Sequence, residues 1–348
     1  MTSNLLQVTS DGLYCAAGDF HIDPWRPVKR AIITHAHSDH ARWGCRRYLT
    51  STEGERVLRM RMEHGAAIQA VNFGEPITIN DVRVSLHPAG HILGSAQIRV
   101  EHRGEVWVVA GDYKTQPDPT CSDFELVMCH TFITESTFGL PIYRWRPQQE
   151  IFDEINAWWK ANQAAGRTSV LMGYALGKAQ RLIAGVDASI GPIYTHGAVE
   201  SVNAAYRETG IALPATTYVT EATTDAEGKR NKKVDWSQGL VIAPPSAQGT
   251  PWLRKFGEVS LSFASGWMQI RDTRKQRSVD RGFTLSDHVD WPSLIDTVKA
   301  TGAQRVWVTH GYTAVVARYL NELGLQAEAL QTRFEGEESG DTRLEIGD

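Results

Sequence analysis

Apolar and polar residues alternate in short runs through most of the first 140 positions, the pattern of strands joined by tight turns. Residues 1–34 read as short strands with turns at Asp11-Gly12 and Asp23-Pro24, and Lys29 to Thr34 as a buried strand entering a loop. Ile77 to Leu86 alternates on both sides of an Asn80-Asp81 turn, and Gln97 to Ala110 gives a second hairpin turned at Arg103-Gly104. Phe132 to Gly139 is a further strand that ends in polar residues. Residues 52–70 break the alternation. There Val57, Leu58, Met62 and Ala66 recur at helical spacing and predict a helix.

The rhythm changes after about residue 143. A helix over 148–165 carries Ile151, Ile155, Trp158 and Trp159 on one side and stops at Gly166. Strands at 168–172, 193–195, 217–220 and 240–243 then alternate with helices at 178–188 and 199–209. Such alternation predicts a parallel sheet built from βαβ units, a different architecture from the hairpins before it. A strand over Val259 to Ala264 and a basic loop from Arg271 to Arg281 close this region. Hairpin-type material resumes with a strand from Gly282 to His288, a helix over 292–300, a strand from Arg305 to His310, a helix over 314–323 and a strand near 326–330. The charged tail from Glu335 is expected to fray.

Composition narrows the class without naming it. The 348 residues are 42% apolar and 22% charged, as in an ordinary globular protein, and the net charge of −4 does not announce a nucleic-acid binder. Any polyanion must be held by a local basic patch or by metal. Cys15, Cys45, Cys121 and Cys129 form no Cys-x-x-Cys pair and no disulfide rhythm, which fits a reducing compartment. No signal peptide and no run of ~20 apolar residues is visible, so a cytoplasmic protein without a membrane segment is expected.

The chemistry concentrates in six residues, His35-Ala36-His37-Ser38-Asp39-His40, which follow the buried strand. Zinc and related divalent metals take imidazole and carboxylate ligands of these types, and the spacing supplies two adjacent centres rather than one. His91, Asp112 and His310 also fall at the ends of predicted strands. The expected first site is His35, His37, His91 and Asp112; the second is Asp39, His40, His310 and Asp112. Asp112 bridges because a carboxylate offers two oxygens and can span ions ~3.5–4 Å apart. A water between the ions would be deprotonated near neutral pH and attack a phosphodiester without a covalent intermediate. These ligands suit zinc, while manganese supports the same chemistry. Upstream, Asp19 or Asp23 could orient the loop; His87 is the less apt ligand in its own loop. Cleavage also needs a proton for the leaving oxygen. His288 is the candidate acid, with Glu135 as the carboxylate that raises its pKa and orients it. With Asp39 they make the expected catalytic set.

A substrate backbone needs cations. Arg271, Arg274, Lys275 and Arg277 lie shortly before His288, Lys229, Arg230, Lys232 and Lys233 form a second cluster, and Arg42, Arg46 and Arg47 follow the histidine loop.

Taken together, these motifs resemble the metallo-β-lactamase fold in the version carried by β-CASP nucleases. His35-Ala-His-Ser-Asp-His40, Gly90-His91 and Gly111-Asp112 match that family's successive ligand motifs. Glu135 in Thr-Glu-Ser-Thr-Phe-Gly, His288 in Leu-Ser-Asp-His-Val-Asp and His310 in Val-Thr-His-Gly match its three cap motifs. Tyr174 to Gln180 is similar to the start of the first cap helix, and Ala264-Ser265-Gly266-Trp267-Met268 to a Ser-Gly-Met stretch, which adds Ser265 to the expected substrate-binding residues. The resemblance implies an α/β protein: an αββα sandwich formed by 1–144 and 284–348, with an inserted α/β cap over 145–283. The lead-in from Asp19 to Trp25 and the His-Ala-His-Ser-Asp-His-Ala-Arg loop resemble the bacterial ligase-associated DNA exonucleases most. That implies trimming of DNA ends in repair, from a 5′ end, beside an ATP-dependent ligase and a helicase. His310 pulls toward RNA, since the RNA-cleaving members of the family typically carry histidine there. An RNA-processing nuclease is therefore the second expectation, and a non-catalytic scaffold that binds nucleic acid or a repair partner is the third. A small-molecule hydrolase fits less, because a small ester needs no such cap.

Overall fold

Side-chain alternation along the central strands explains how the layers form. The structure, a computed structural model, describes residues 4–225, 228–229, 233–270 and 278–330. These fall into two compact units, one from the described residues of Met1–Arg144 and His288–Ser339, the other from Trp145–Asp287.

The first unit holds two sheets. One is six-stranded, in the order β1 (Gln7–Thr9), β2 (Gly12–Cys15), β3 (Phe20–Ile22), β4 (Ala31–Ile32), β5 (Tyr48–Ser51) and β6 (Ile68–Val71). It begins antiparallel and is parallel from β3 onward. The other has seven strands: β7 (Ile77–Ile79), β8 (Val82–Pro88), β9 (Ala96–His102), β10 (Glu105–Val109), β11 (Thr131–Ser136), β18 (Arg305–Gly311) and β19 (Gln326–Ala329), running from β7 at one edge to β19 at the other. In β10, Trp107 and Val109 join Phe20, Ile22, Ile32 and Leu49 of the first sheet in one buried cluster. Val106 and Val108 point the other way, into a cluster with Leu294, Ile295 and Val298 of α6 (Trp291–Ala300) and Val316 and Leu320 of α7 (Thr313–Glu322). The period of two along one strand thus builds both a sheet–sheet core and a sheet–helix core.

The second unit is a six-stranded sheet in the order β14 (Thr217–Tyr218), β13 (Ile193–Thr195), β15 (Leu240–Ala243), β12 (Thr168–Met172), β16 (Val259–Ala264) and β17 (Arg281–Phe283), parallel throughout. Leu171, Leu240 and Ile242 pack against α2 (Gln148–Ala164), α3 (Lys178–Gly185) and α4 (Gly197–Glu208), while Val170 and Val241 face Trp236 and Phe256 on the opposite side. Near-continuous apolar strands follow from burial on both faces.

Three elements differ from the sequence reading. The helix expected over 52–70 ends early, as α1 (Glu55–Arg61), and Ile68–Val71 pairs with Tyr48–Ser51 instead. The strand expected to reach His288 stops at Phe283, and Val219–Ala222 turns into a short helix, α5. All four cysteines are free. Among the described residues, no helix is long and apolar enough to cross a membrane.

Candidate metal centre

β4 lasts two residues before the chain leaves the sheet and carries His35, His37, Asp39 and His40 into a buried loop. Two neighbours hold that loop. Arg61 of α1 donates from Nε to the Ala36 carbonyl. Asp23, at the turn after β3, accepts from the Thr34 backbone N–H at 2.8 Å and the Thr34 hydroxyl at 2.6 Å, and meets His40 Nδ1 at 2.8 Å. Asp23 sits at φ 44°, a left-handed conformation that aspartate tolerates better than most residues. Asp19, the other candidate, accepts from the Tyr14 hydroxyl instead. His87 contacts Ser85 and Glu125.

The remaining donors arrive from two strand ends. His91 follows β8, and Asp112 follows β10 behind Gly111. A side chain at Gly111 would need a Cβ 2.7 Å from that of Thr34, with φ already at +60°, so only glycine lets the Asp112 turn press on the histidine loop.

Three donor groups result, each with its ligand atoms within 4.8 Å of one another: His35, His37, His91 and Asp112; His40, Asp112 and His310; and Asp112, Glu135 and His288. In the first group, His35 Nε2 and His91 Nε2 each lie 3.1 Å from His37 Nδ1, and 3.5 and 3.8 Å from Asp112 Oδ2. Zn–N bonds of about 2.0–2.1 Å put neighbouring tetrahedral corners ~3.3–3.4 Å apart, so the spacing suits one ion. In the second, His40 Nε2 is buried without a hydrogen-bond partner, 3.4 Å from Asp112 Oδ2. Asp39 Oδ2 lies 3.6 Å from the same nitrogen, beside this group. A buried imidazole nitrogen with no hydrogen-bond partner, facing two carboxylates, is suited to ligate a cation. The donor set fits divalent metal.

The electrostatics of these groups show the same tension. Burial, with the neighbouring His40, pushes His35 well below the usual imidazole range. Burial opposes charge on His40 too, yet Asp112 and Asp39 raise it well above that range. Burial alone would raise Asp112, but His40 and His288 hold it well below the carboxylate range. Burial and His40 lower His310.

His310 is the last residue but one of β18, at φ 51°, and the Ser136 hydroxyl donates to its carbonyl. Glu135, on β11, accepts from the Tyr113 backbone N–H at 2.9 Å and meets His288 Nδ1 at 2.8 and 3.0 Å. Both side chains are fully buried.

No family model matches the chain. It is 30% identical over 341 residues, 97% of its length, to a probable DNA ligase of Opitutus terrae, of which it covers 31%. It is 30% identical over 186 residues to the cleavage and polyadenylation specificity factor 73 of Drosophila melanogaster (48% of this chain, 27% of that protein). Against an RNase J-like protein of Methanocaldococcus jannaschii, identity is 26% over 199 residues (53% and 46%). The chain thus spans less than half the length of each of these relatives. The two-sheet sandwich with its second α/β unit is the metallo-β-lactamase fold with a β-CASP cap, and in sequence the chain is similar to these relatives over part of their length. A crystal structure of a protein of unknown function from Enterococcus faecalis shares the fold, with TM-score 0.57 and 12% identity, over 87% of this chain and 79% of that one.

The structure brings together His35, His37, His40, His91, Asp112 and His310, with Asp39 alongside, and pairs Glu135 with His288. Arg271, Arg274, Lys275 and Arg277 lie outside the described residues, as do Arg230 and Lys232. Ser265 is buried in the second unit, and its hydroxyl accepts from the Trp267 backbone N–H. Sequence reasoning missed Arg61 and Thr34. It also missed a buried cluster in the second unit, where Lys178 and Arg181 of α3 pair with Asp287 at 2.8 and 3.1 Å. The signal for Lys178 and Arg181 was available: two cations in a helix otherwise apolar on that side need an acid partner.

Proposed function

We propose that this protein is a metal-dependent nuclease that hydrolyses phosphodiester bonds at DNA ends. The observation that carries this reading is the sharing of Asp112 by all three donor groups, which links the metal cluster to the Glu135–His288 pair. We assign the first ion to His35, His37, His91 and Asp112, and the second to Asp39, His40, His310 and Asp112, with zinc or manganese as the metal. When bound, two divalent cations acidify a water and neutralise charge growing on the phosphoryl oxygens.

The chain's own part in catalysis falls to Glu135 and His288. The Tyr113 N–H fixes the Glu135 carboxylate, and Glu135 holds the Nδ1 proton of His288. Nε2 is thereby left for the substrate side, where a protonated imidazole gives its proton to the leaving oxygen. Glu135 orients the ring through its contact with Nδ1. We assign the cap to 145–283 and the metal-binding sandwich to 1–144 and 284–348.

DNA is preferred because nearly the whole chain aligns within a protein described as a probable DNA ligase. The same likeness supports work beside an ATP-dependent ligase, with a helicase as the further partner. RNA is the second reading, favoured by the RNase J-like and cleavage-factor relatives. End-labelled single- and double-stranded DNA and RNA, incubated with zinc or manganese in turn, test both. A metal-dependent ladder on DNA supports the first reading, and one on RNA alone replaces it with the second. No product with any polymer leaves only a binding scaffold.

A further inference from the structure

Arg46 and Arg47 do not lie beside the histidine loop they follow in sequence. Backbone bonds from Arg46 N to Val28 O and from Ala31 N to Arg47 O bring them next to Lys29 and Arg30, where parallel β4 and β5 begin. The histidine loop leaves from the other ends of these strands. One edge of the sheet therefore carries the metal donors, and the opposite edge carries cations.

Arg26, Lys29, Arg46 and Arg47 are exposed, and their side chains make no ion pair or hydrogen bond among the described residues. Arg30, half-buried, donates to the Gly18 carbonyl at 3.4 Å. Lys29, Arg30 and Arg46 line an open groove of about 470 Å³ with Tyr14 and His21, whose rings pack 4.6 Å apart. Asp11 and Asp19 also face this groove, and Asp19 is engaged by the Tyr14 hydroxyl. The groove lining carries three cations, Lys29, Arg30 and Arg46, against Asp11 and Asp19, with Glu63 accepting from the Gly44 N–H beside it; the exposed Arg26 and Arg47 adjoin it in sequence and add to the positive side on a chain whose net charge is −4. Unpaired cations on a surface of the opposite overall sign are what a polyanion recognises.

We propose that this edge is a second nucleic-acid contact, which holds the phosphate backbone of duplex DNA away from the cut; the proposal rests on the nuclease reading above. Its reach follows from the chain. Arg30 and His35 are five positions apart, so at most about 17 Å separates their backbones. Duplex DNA rises 3.4 Å per base pair; with the reach of the side chains at both ends added, the contact falls within about one helical turn of the cleavage site.

The test measures binding in chelator, so that no cleavage intervenes. Anisotropy of a labelled 20-base-pair DNA duplex is followed from 50 to 200 mM KCl for wild type, for the Arg26→Gln/Lys29→Gln/Arg46→Gln/Arg47→Gln protein, and for a version with lysine at the three arginines. The log–log salt slope of the glutamine protein is expected to fall by about 0.9 for each phosphate it no longer neutralises, up to ~3.6 for four, while the lysine protein keeps the wild-type slope. Melting temperature and metal content should match wild type in both. An unchanged slope in the glutamine protein overturns the proposal, and so does a wild type that binds duplex DNA with no salt dependence. If the slope falls but wild type cuts no nucleic acid with either metal, the second contact stands and the nuclease reading falls.

Discussion

Replacing Asp23 by asparagine should weaken one metal site and spare the other. Asp23 touches no proposed ion; it acts through His40. Its carboxylate accepts from the Thr34 N–H and hydroxyl at 2.8 and 2.6 Å and faces His40 Nδ1 at 2.8 Å, which keeps the proton on Nδ1 and the lone pair on Nε2. An asparagine amide presented to Nδ1 reverses that arrangement: Nδ1 accepts, the proton moves to Nε2, and the nitrogen facing Asp112 at 3.4 Å can no longer ligate. Asparagine tolerates the left-handed φ of 44° at this position, so the change is electronic rather than a backbone strain. Loss of such a supporting partner typically costs 10–100-fold in metal affinity, about 1.4–2.8 kcal/mol. Calorimetric titration of the apoprotein with zinc should show one binding class of wild-type affinity and a second weakened within that range, with Asp19→Asn unaffected. Two classes unchanged to within threefold in Asp23→Asn would refute the tautomer argument. Equal weakening of both would mean that the whole loop had moved.

Other expectations follow from the same geometry. Asp112→Asn should abolish product and lower metal content by elemental analysis, since this carboxylate belongs to all three donor groups; cutting at a normal rate by this variant would remove its bridging role. Glu135→Gln and His288→Asn should each cost about 10²–10⁴-fold in kcat while both ions stay bound, as a general acid and its partner require; a loss of metal instead would make them ligands. Glu200, whose burial is outweighed by hydrogen bonds from Thr195, Thr216, Arg207 and Asn203, has its carboxyl held below the ordinary range. Because the folded value is the lower one, its stabilisation is full above the unfolded carboxylate range and fades as pH falls through the folded value. Glu200→Gln should therefore cost about 2 kcal/mol in urea unfolding at pH 7 and progressively less below pH ~4.5, and a gap that widens in acid would contradict the sign.

The candidate donors that the structure brings together were legible in the sequence because four of them share six positions and the others end predicted strands. Which upstream aspartate supports the loop was not legible. Asp19 and Asp23 both sit at turns at left-handed φ, and only the pairing of β3 with β4 brings Asp23 against Thr34. The helix expected over 52–70 stops short for a physical reason. Beyond Arg61 the chain runs through Glu63, His64 and a Gly65 at φ +83°, and Ile68–Val71 gains more by joining a parallel edge than by continuing a helix. That Arg46 and Arg47 lie beside Lys29 and Arg30 was not legible, because adjacency in sequence says nothing about which end of a strand a loop returns to.

His310 closes its group from a strand made late in the chain. The donors of the first group lie within residues 35–112, whereas His310 follows 198 positions after Asp112. At ~5–20 residues per second of synthesis, roughly 10–40 s separate the emergence of the two. A ribosome-bound fragment can thus assemble one set of donors while the other is still incomplete. β11 meanwhile lacks β18, its partner on one side, and stands as an open edge. Completion of the second donor group and closure of that edge are the same event, both waiting on the synthesis of β18.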